Sequence, residues 1–124
     1  MNHVSSEEVL KIHDLVLMRY GGCPGCSDPE RISALLARVQ NYEFYEGLSD
    51  VFALAAMYWI SIAKGHVFVD GNKRTAVAVC LLFLRRNGIV PYNRPDLEDV
   101  AVKVAADEMS ATELTDYLRS CFAN

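Results

Sequence analysis

Apolar residues fall into two kinds of stretch along the chain. In four segments they recur three or four positions apart: Val9, Ile12, Val16 and Tyr20; Ile32, Leu35, Leu36 and Val39; Leu97, Val100, Ala101, Val104 and Ala105; and Leu114, Tyr117, Leu118 and Cys121. That spacing puts each set on one face of an α-helix. Two further segments are apolar almost throughout, Val51 to Ala63 with Ser61 as the exception and Ala76 to Leu84 with none. A helix that is hydrophobic on nearly every side belongs at the centre of a domain. The pattern therefore predicts an all-α fold: a compact bundle of about six helices, two of them central and buried.

Polar residues punctuate the same segments. Ser5 and Glu8 have capping-box spacing at the start of the first helix, and Gly21 with Gly22 ends it. Asp28 caps a second helix whose first position is Pro29, Asp50 opens the third, Asn87 and Gly88 stop the fourth, and Ser110 with Glu113 opens the sixth. Asn41 to Ser49 shows no helical stripe, so it is expected to leave the helical pattern as an extended flap or a short hairpin, a choice the residues leave open. Ile89 to Arg94, with Pro91, is a connector. Cys23-Pro24-Gly25-Cys26 reads as a turn, because a single Cys-x-x-Cys supplies only two metal ligands and no second pair follows. His13, on the first helix, reads as structural.

Length and composition narrow the class. A chain of 124 residues, 52% hydrophobic and 23% charged, makes one domain spanning 1–124 with a substantial core. The N-terminus is polar where a signal peptide would be apolar, and the longest apolar runs fall short of the ~18 residues expected of a membrane span. No membrane association is expected, and the cytoplasm is the expected location. A formal net charge of −4 argues against direct nucleic acid binding, which draws on a basic surface. The charge is unevenly placed, however. Residues 64–86 carry five basic side chains (Lys64, Lys73, Arg74, Arg85, Arg86) against the one acid Asp70. Such a concentration suits a small anionic ligand.

The chemistry is concentrated in the same region, from His66 to Thr75. A helix opening near Gly71 or Asn72 presents unpaired N–H groups and the positive end of its dipole. Gly71 allows close approach to a ligand, Asn72 adds an amide, and Lys73 and Arg74 add a point charge and a bidentate fork for phosphate oxygens. Cations in a first helical turn oppose the dipole, so an anion there explains them better than solvent does. Asp70 is a hard oxygen ligand for a nucleotide's Mg2+, or else a plain helix cap. The His66 imidazole can accept a proton from a hydroxyl nucleophile. Together these groups point to phosphoryl or nucleotidyl transfer.

The run His66-x-Phe68-x-Asp70-Gly71-Asn72-Lys73-Arg74 resembles the Fic/Doc family motif, and its Asn-Lys-Arg is most similar to the Doc (death on curing) branch. The resemblance extends over most of the chain, through Arg19-Tyr20-Gly21-Gly22, Pro24-Gly25, Asp28-Pro29 and Leu82-Phe83-Leu84-Arg85-Arg86-Asn87-Gly88. It implies a toxin of a toxin–antitoxin pair, held in check by a Phd-type antitoxin. Carried over by position, His66 would be the general base, Asp70 the Mg2+-associated acid, Gly71, Asn72, Lys73 and Arg74 the phosphate ligands, and Phe68 the anchor of the loop.

Lys73 stands where ordinary Fic enzymes have a second glycine, and Val77 where they have a second arginine. A lysine there would obstruct the nucleotide pose used for AMP transfer. The resemblance thus implies a kinase that passes the γ-phosphate of ATP to a threonine of elongation factor Tu and arrests translation. AMP transfer to a protein hydroxyl is the alternative, and a non-catalytic phosphate-binding module a more distant one. The family's self-inhibitory motif, (Ser/Thr)-x-x-x-Glu-(Gly/Asn), is absent, so inhibition by a partner is expected.

Overall fold

The computed structural model describes residues 1–26, 28–46, 50–90 and 95–122. It contains six helices: α1 Ser6–Tyr20, α2 Pro29–Glu46, α3 Val51–Lys64, α4 Asn72–Arg86, α5 Leu97–Ala105 and α6 Ala111–Phe122. Among the described residues there is no strand beyond one isolated bridge, between Cys26 and Phe68. The all-α expectation is met.

The helix starts follow from their capping side chains. Ser5 Oγ accepts the Glu8 N–H at 3.3 Å while Glu8 Oε1 accepts the Ser5 N–H at 3.0 Å. Ser110 and Glu113 repeat that exchange at 3.1 and 3.0 Å. Asp28 Oδ1 takes the Glu30 N–H, and Asp50 Oδ1 takes those of Phe52 and Ala53. Each carboxylate or hydroxyl satisfies a donor that the helix itself cannot.

Both apolar segments do become the central helices. α3 packs along α4 and also meets α2, α5 and α6. Trp59, Tyr58, Phe83, Leu54, Leu84, Leu114 and Leu118 are fully buried between them. α1 lies across α4 and runs antiparallel to it: Glu8, near the start of α1, pairs with Arg86 at the end of α4, while Tyr20 at the end of α1 lies under Arg74 at the start of α4. A short N-terminal strap completes this side, where His3 bridges the Tyr58 hydroxyl at 2.7 Å and Glu43 Oε1 at 2.8 Å.

Two expectations need correction. Residues 41 to 46 are neither flap nor hairpin, because α2 runs on to Glu46. This last stretch overhangs the core with Tyr42 and Phe44 exposed, and Glu43 is turned toward His3. Helical form persists there without an apolar stripe to announce it. Residues 47 to 49 lie outside the described residues, as do 91 to 94 of the expected connector. Tyr20 is also not a core residue; it is 51% exposed, at the point where α1 reaches past the core.

Candidate active site

The loop joining the two central helices is short and held at many points. At its start Gly65 passes so close under α2 that a Cβ there would sit 2.6 Å from Leu35 Cδ1 and 2.7 Å from the Ser61 carbonyl oxygen. Arg31, from α2, donates its Nε–H to the Gly65 carbonyl at 2.7 Å. His66 follows, exposed and with φ of 51°, a left-handed conformation that a non-glycine residue holds only when its surroundings impose it. Val67 and Phe68 are then buried, and the chain emerges at Val69 and Asp70.

Asn72 closes this loop on itself. Its Oδ1 accepts the Phe68 N–H at 3.1 Å and its Nδ2 donates to the Phe68 carbonyl at 2.8 Å, so one amide side chain pairs with both polar groups of one residue. From outside, the Gly21 to Cys26 segment clips the same loop. The Val69 N–H reaches the Gly25 carbonyl at 3.1 Å, and the Cys23 N–H reaches Asp70 Oδ2 at 3.2 Å. The Cys-x-x-Cys turn thus serves as the outer wall of the motif, with both thiols free.

Gly71 has φ of 82° and is the N-cap of α4 with no side-chain cap. Asp70 does not fill that role: its Oδ1 accepts the N–H of Gly71 next to it at 2.8 Å and its other oxygen faces Cys23. The first turn of α4 is left with unsatisfied amides at its positive end. Lys73 and Arg74 are exposed in that turn, and neither forms an ion pair with a carboxylate among the described residues. The Arg74 guanidinium lies 4.1 Å from the centre of the Tyr20 ring, whose π face orients it.

Beside this turn lies a cleft of about 620 Å³ between α1, α4 and α5. Asp70, Gly71, Asn72, Lys73 and Arg74 form one polar end, Val16, Val77, Ala78, Leu81, Leu97 and Ala101 give it an apolar floor, and Glu98 of α5 adds one carboxylate to the lining. A volume of this order, with polar groups at one end, suits a small ligand that carries an anionic group on a flat, largely apolar body. Five of the seven residues singled out in the sequence therefore share one cavity. His66 and Phe68 do not line it: His66 stands exposed at the other end of the loop, and Phe68 lies beneath, in the core.

One residue of this region reads from the sequence as structural only. His13 of α1 is 4% exposed, stacks on Phe68 with centroids 3.7 Å apart and planes 7° apart, and brings Nε2 to 2.7 Å from the Asp70 carbonyl oxygen. Its position on the buried face of α1 was the only signal available, because its partner lies 57 residues along the chain.

The residues fit a nucleotide with its magnesium. The uncapped turn and two cations outside any ion pair among the described residues suit phosphates, the apolar floor suits a base, and Asp70 offers one exposed carboxylate. A Mg2+ held mainly by phosphates and water asks for no more than that. Among the described residues no group of three or more metal-ligating side chains gathers. No helix among them is long and apolar enough to cross a membrane.

A family model described as the Fic/DOC family matches residues 3–84. Over 124 residues, all of this chain and 98% of the relative, the sequence is 44% identical to the protein named "Protein kinase doc" of Escherichia phage P1.

Proposed function

This chain belongs to the Fic/DOC family, and from that premise we propose that it is a protein kinase, a toxin that passes the γ-phosphate of ATP to a threonine hydroxyl of elongation factor Tu. The observation that carries the reading is the uncapped start of α4 beside an apolar cleft, with Lys73 and Arg74 in no ion pair among the described residues. The full-length similarity to a relative named as a kinase supports it.

In this reading the purine lies over Val77, Ala78 and Leu81, and the phosphates lie against the α4 amides, Lys73 and Arg74. Developing charge on the transferred group meets fixed donors that need no reorganisation. Asn72 keeps the turn in shape, and its remaining amide N–H is available to a phosphate oxygen. His66 takes the proton of the acceptor hydroxyl from outside the cleft, which places the protein substrate on the exposed side of the loop. Mg2+, when bound with ATP, neutralises phosphate charge, and Asp70 is the residue to hold it. A Phd-type antitoxin in the same cytoplasm supplies the inhibition for which the chain has no motif of its own.

The test uses ATP labelled at either the α or the γ position, with purified elongation factor Tu and with bacterial lysate. Label from the γ position on a protein supports the kinase. Label from the α position would replace it with AMP transfer, and label from neither with a binding module. His66→Ala is expected to abolish transfer while leaving the melting temperature close to that of the parent chain. Transfer that persisted would remove the base assignment.

A further inference from the structure

We infer that His13 is a positioning residue for the phosphate site, holding the Asp70–Gly71 peptide so that its carbonyl faces the core and leaves the cleft free of a negative dipole. The inference rests on the nucleotide reading of the cleft given above.

The contacts define what the imidazole does. The Asp70 carbonyl oxygen can only accept, so Nε2, 2.7 Å away, carries the proton and the tautomer is set. Stacking on Phe68 holds the ring in plane, and Phe68 is itself held through both main-chain groups by Asn72. A peptide unit turns as a rigid plate, so fixing its carbonyl fixes its N–H as well. The next residue, Gly71, has φ of 82°, and a Cβ there would be 3.5 Å from His13 Nε2. Glycine gives the plate freedom to turn over at small cost. Turned over, it would direct the Asp70 carbonyl oxygen toward the cleft, against the oxygens of an anion. The N–H of His13 selects the other orientation.

Three variants separate this role from simple packing. His13→Phe keeps an aromatic ring on Phe68 but loses the donor. His13→Gln loses the ring but brings an N–H to about the same reach, and His13→Met matches Gln in length without a donor. The expected result is a kcat/KM for ATP about 10²-fold lower for Phe and Met, and Gln within about tenfold of the parent chain. Thermal stability should rank differently, with Phe above Gln. Activity that followed stability, or His13→Met as active as His13→Gln, would overturn the inference, and the Gln and Met pair decides it even if the Phe variant does not fold. If the parent chain transfers no γ-label, the kinase reading is what fails. ATP binding by calorimetry then decides the role of His13, which requires tighter binding by His13→Gln than by His13→Met and is overturned by equal affinity.

Discussion

Replacing Glu8 with glutamine tests how firmly α1 holds the far end of the helix that opens at the candidate site. Arg86 Nη1 donates to Glu8 Oε1 at 2.7 Å and Arg86 Nη2 donates to Oε2, while Ser5 N–H donates to Oε1 at 3.0 Å. The guanidinium above all, and the Ser5 N–H next, hold the Glu8 carboxyl down from 4.5 to about 2. At about 1.36 kcal/mol per pH unit, that depression corresponds to roughly 3 kcal/mol. The two side chains keep 31% and 32% of their surface exposed, and solvent screening at that exposure brings the contribution to about 1–2 kcal/mol.

The sign follows from linkage. The folded carboxyl is the more acidic one, so its stabilisation is complete above the unfolded value of 4.5 and is lost as the pH falls toward 2. Urea unfolding at neutral pH should find Glu8→Gln less stable by about 1–2 kcal/mol. The gap between parent and variant should then narrow through that acid window. A gap as wide near the bottom of the window as at neutrality would refute the assignment of this pair as the source.

Two further outcomes are expected. Asn72→Asp sets a carboxylate oxygen against the Phe68 carbonyl in place of the donor now at 2.8 Å, and should cost about 1–3 kcal/mol; a thermal melt should show a fall of several degrees, together with loss of transfer. Tyr20→Leu keeps an apolar side chain but removes the ring 4.1 Å from the Arg74 guanidinium. With about 0.5–1 kcal/mol at stake, KM for ATP should rise about three- to fivefold at unchanged kcat in steady-state kinetics.

Most of the architecture could be read from side-chain types because its signals are local. Ser5 with Glu8, Asp50, and Ser110 with Glu113 each act within four residues of their own position, and the structure forms every one of these caps. The stripes that failed did so where helices leave the core. Tyr20 keeps helical spacing past the last buried turn of α1, and the end of α2 turns Tyr42 and Phe44 outward while Glu43 reaches His3. In the cleft, the residues consecutive in sequence, Asp70 to Arg74, could be found from their spacing. Their supports could not. His13 on Asp70, Gly25 on Val69 and Arg31 on Gly65 are contacts between segments far apart in the chain, and nothing in the local pattern of either partner encodes them.

Two bonds tie α1 to α4, one at each end, and both intervals are twelve residues long: Glu8 to Tyr20 on one helix, Arg74 to Arg86 on the other. At about 1.5 Å per residue each interval measures roughly 18 Å, so the pair works like a caliper closed on α4. One residue inserted between Glu8 and Tyr20 would turn one jaw by about 100° relative to the other and lengthen the span by about 1.5 Å. The two contacts could then no longer be made together. Kinases of this build should therefore keep the length of this span of α1, and an insertion tolerated there would have to be matched by one in α4.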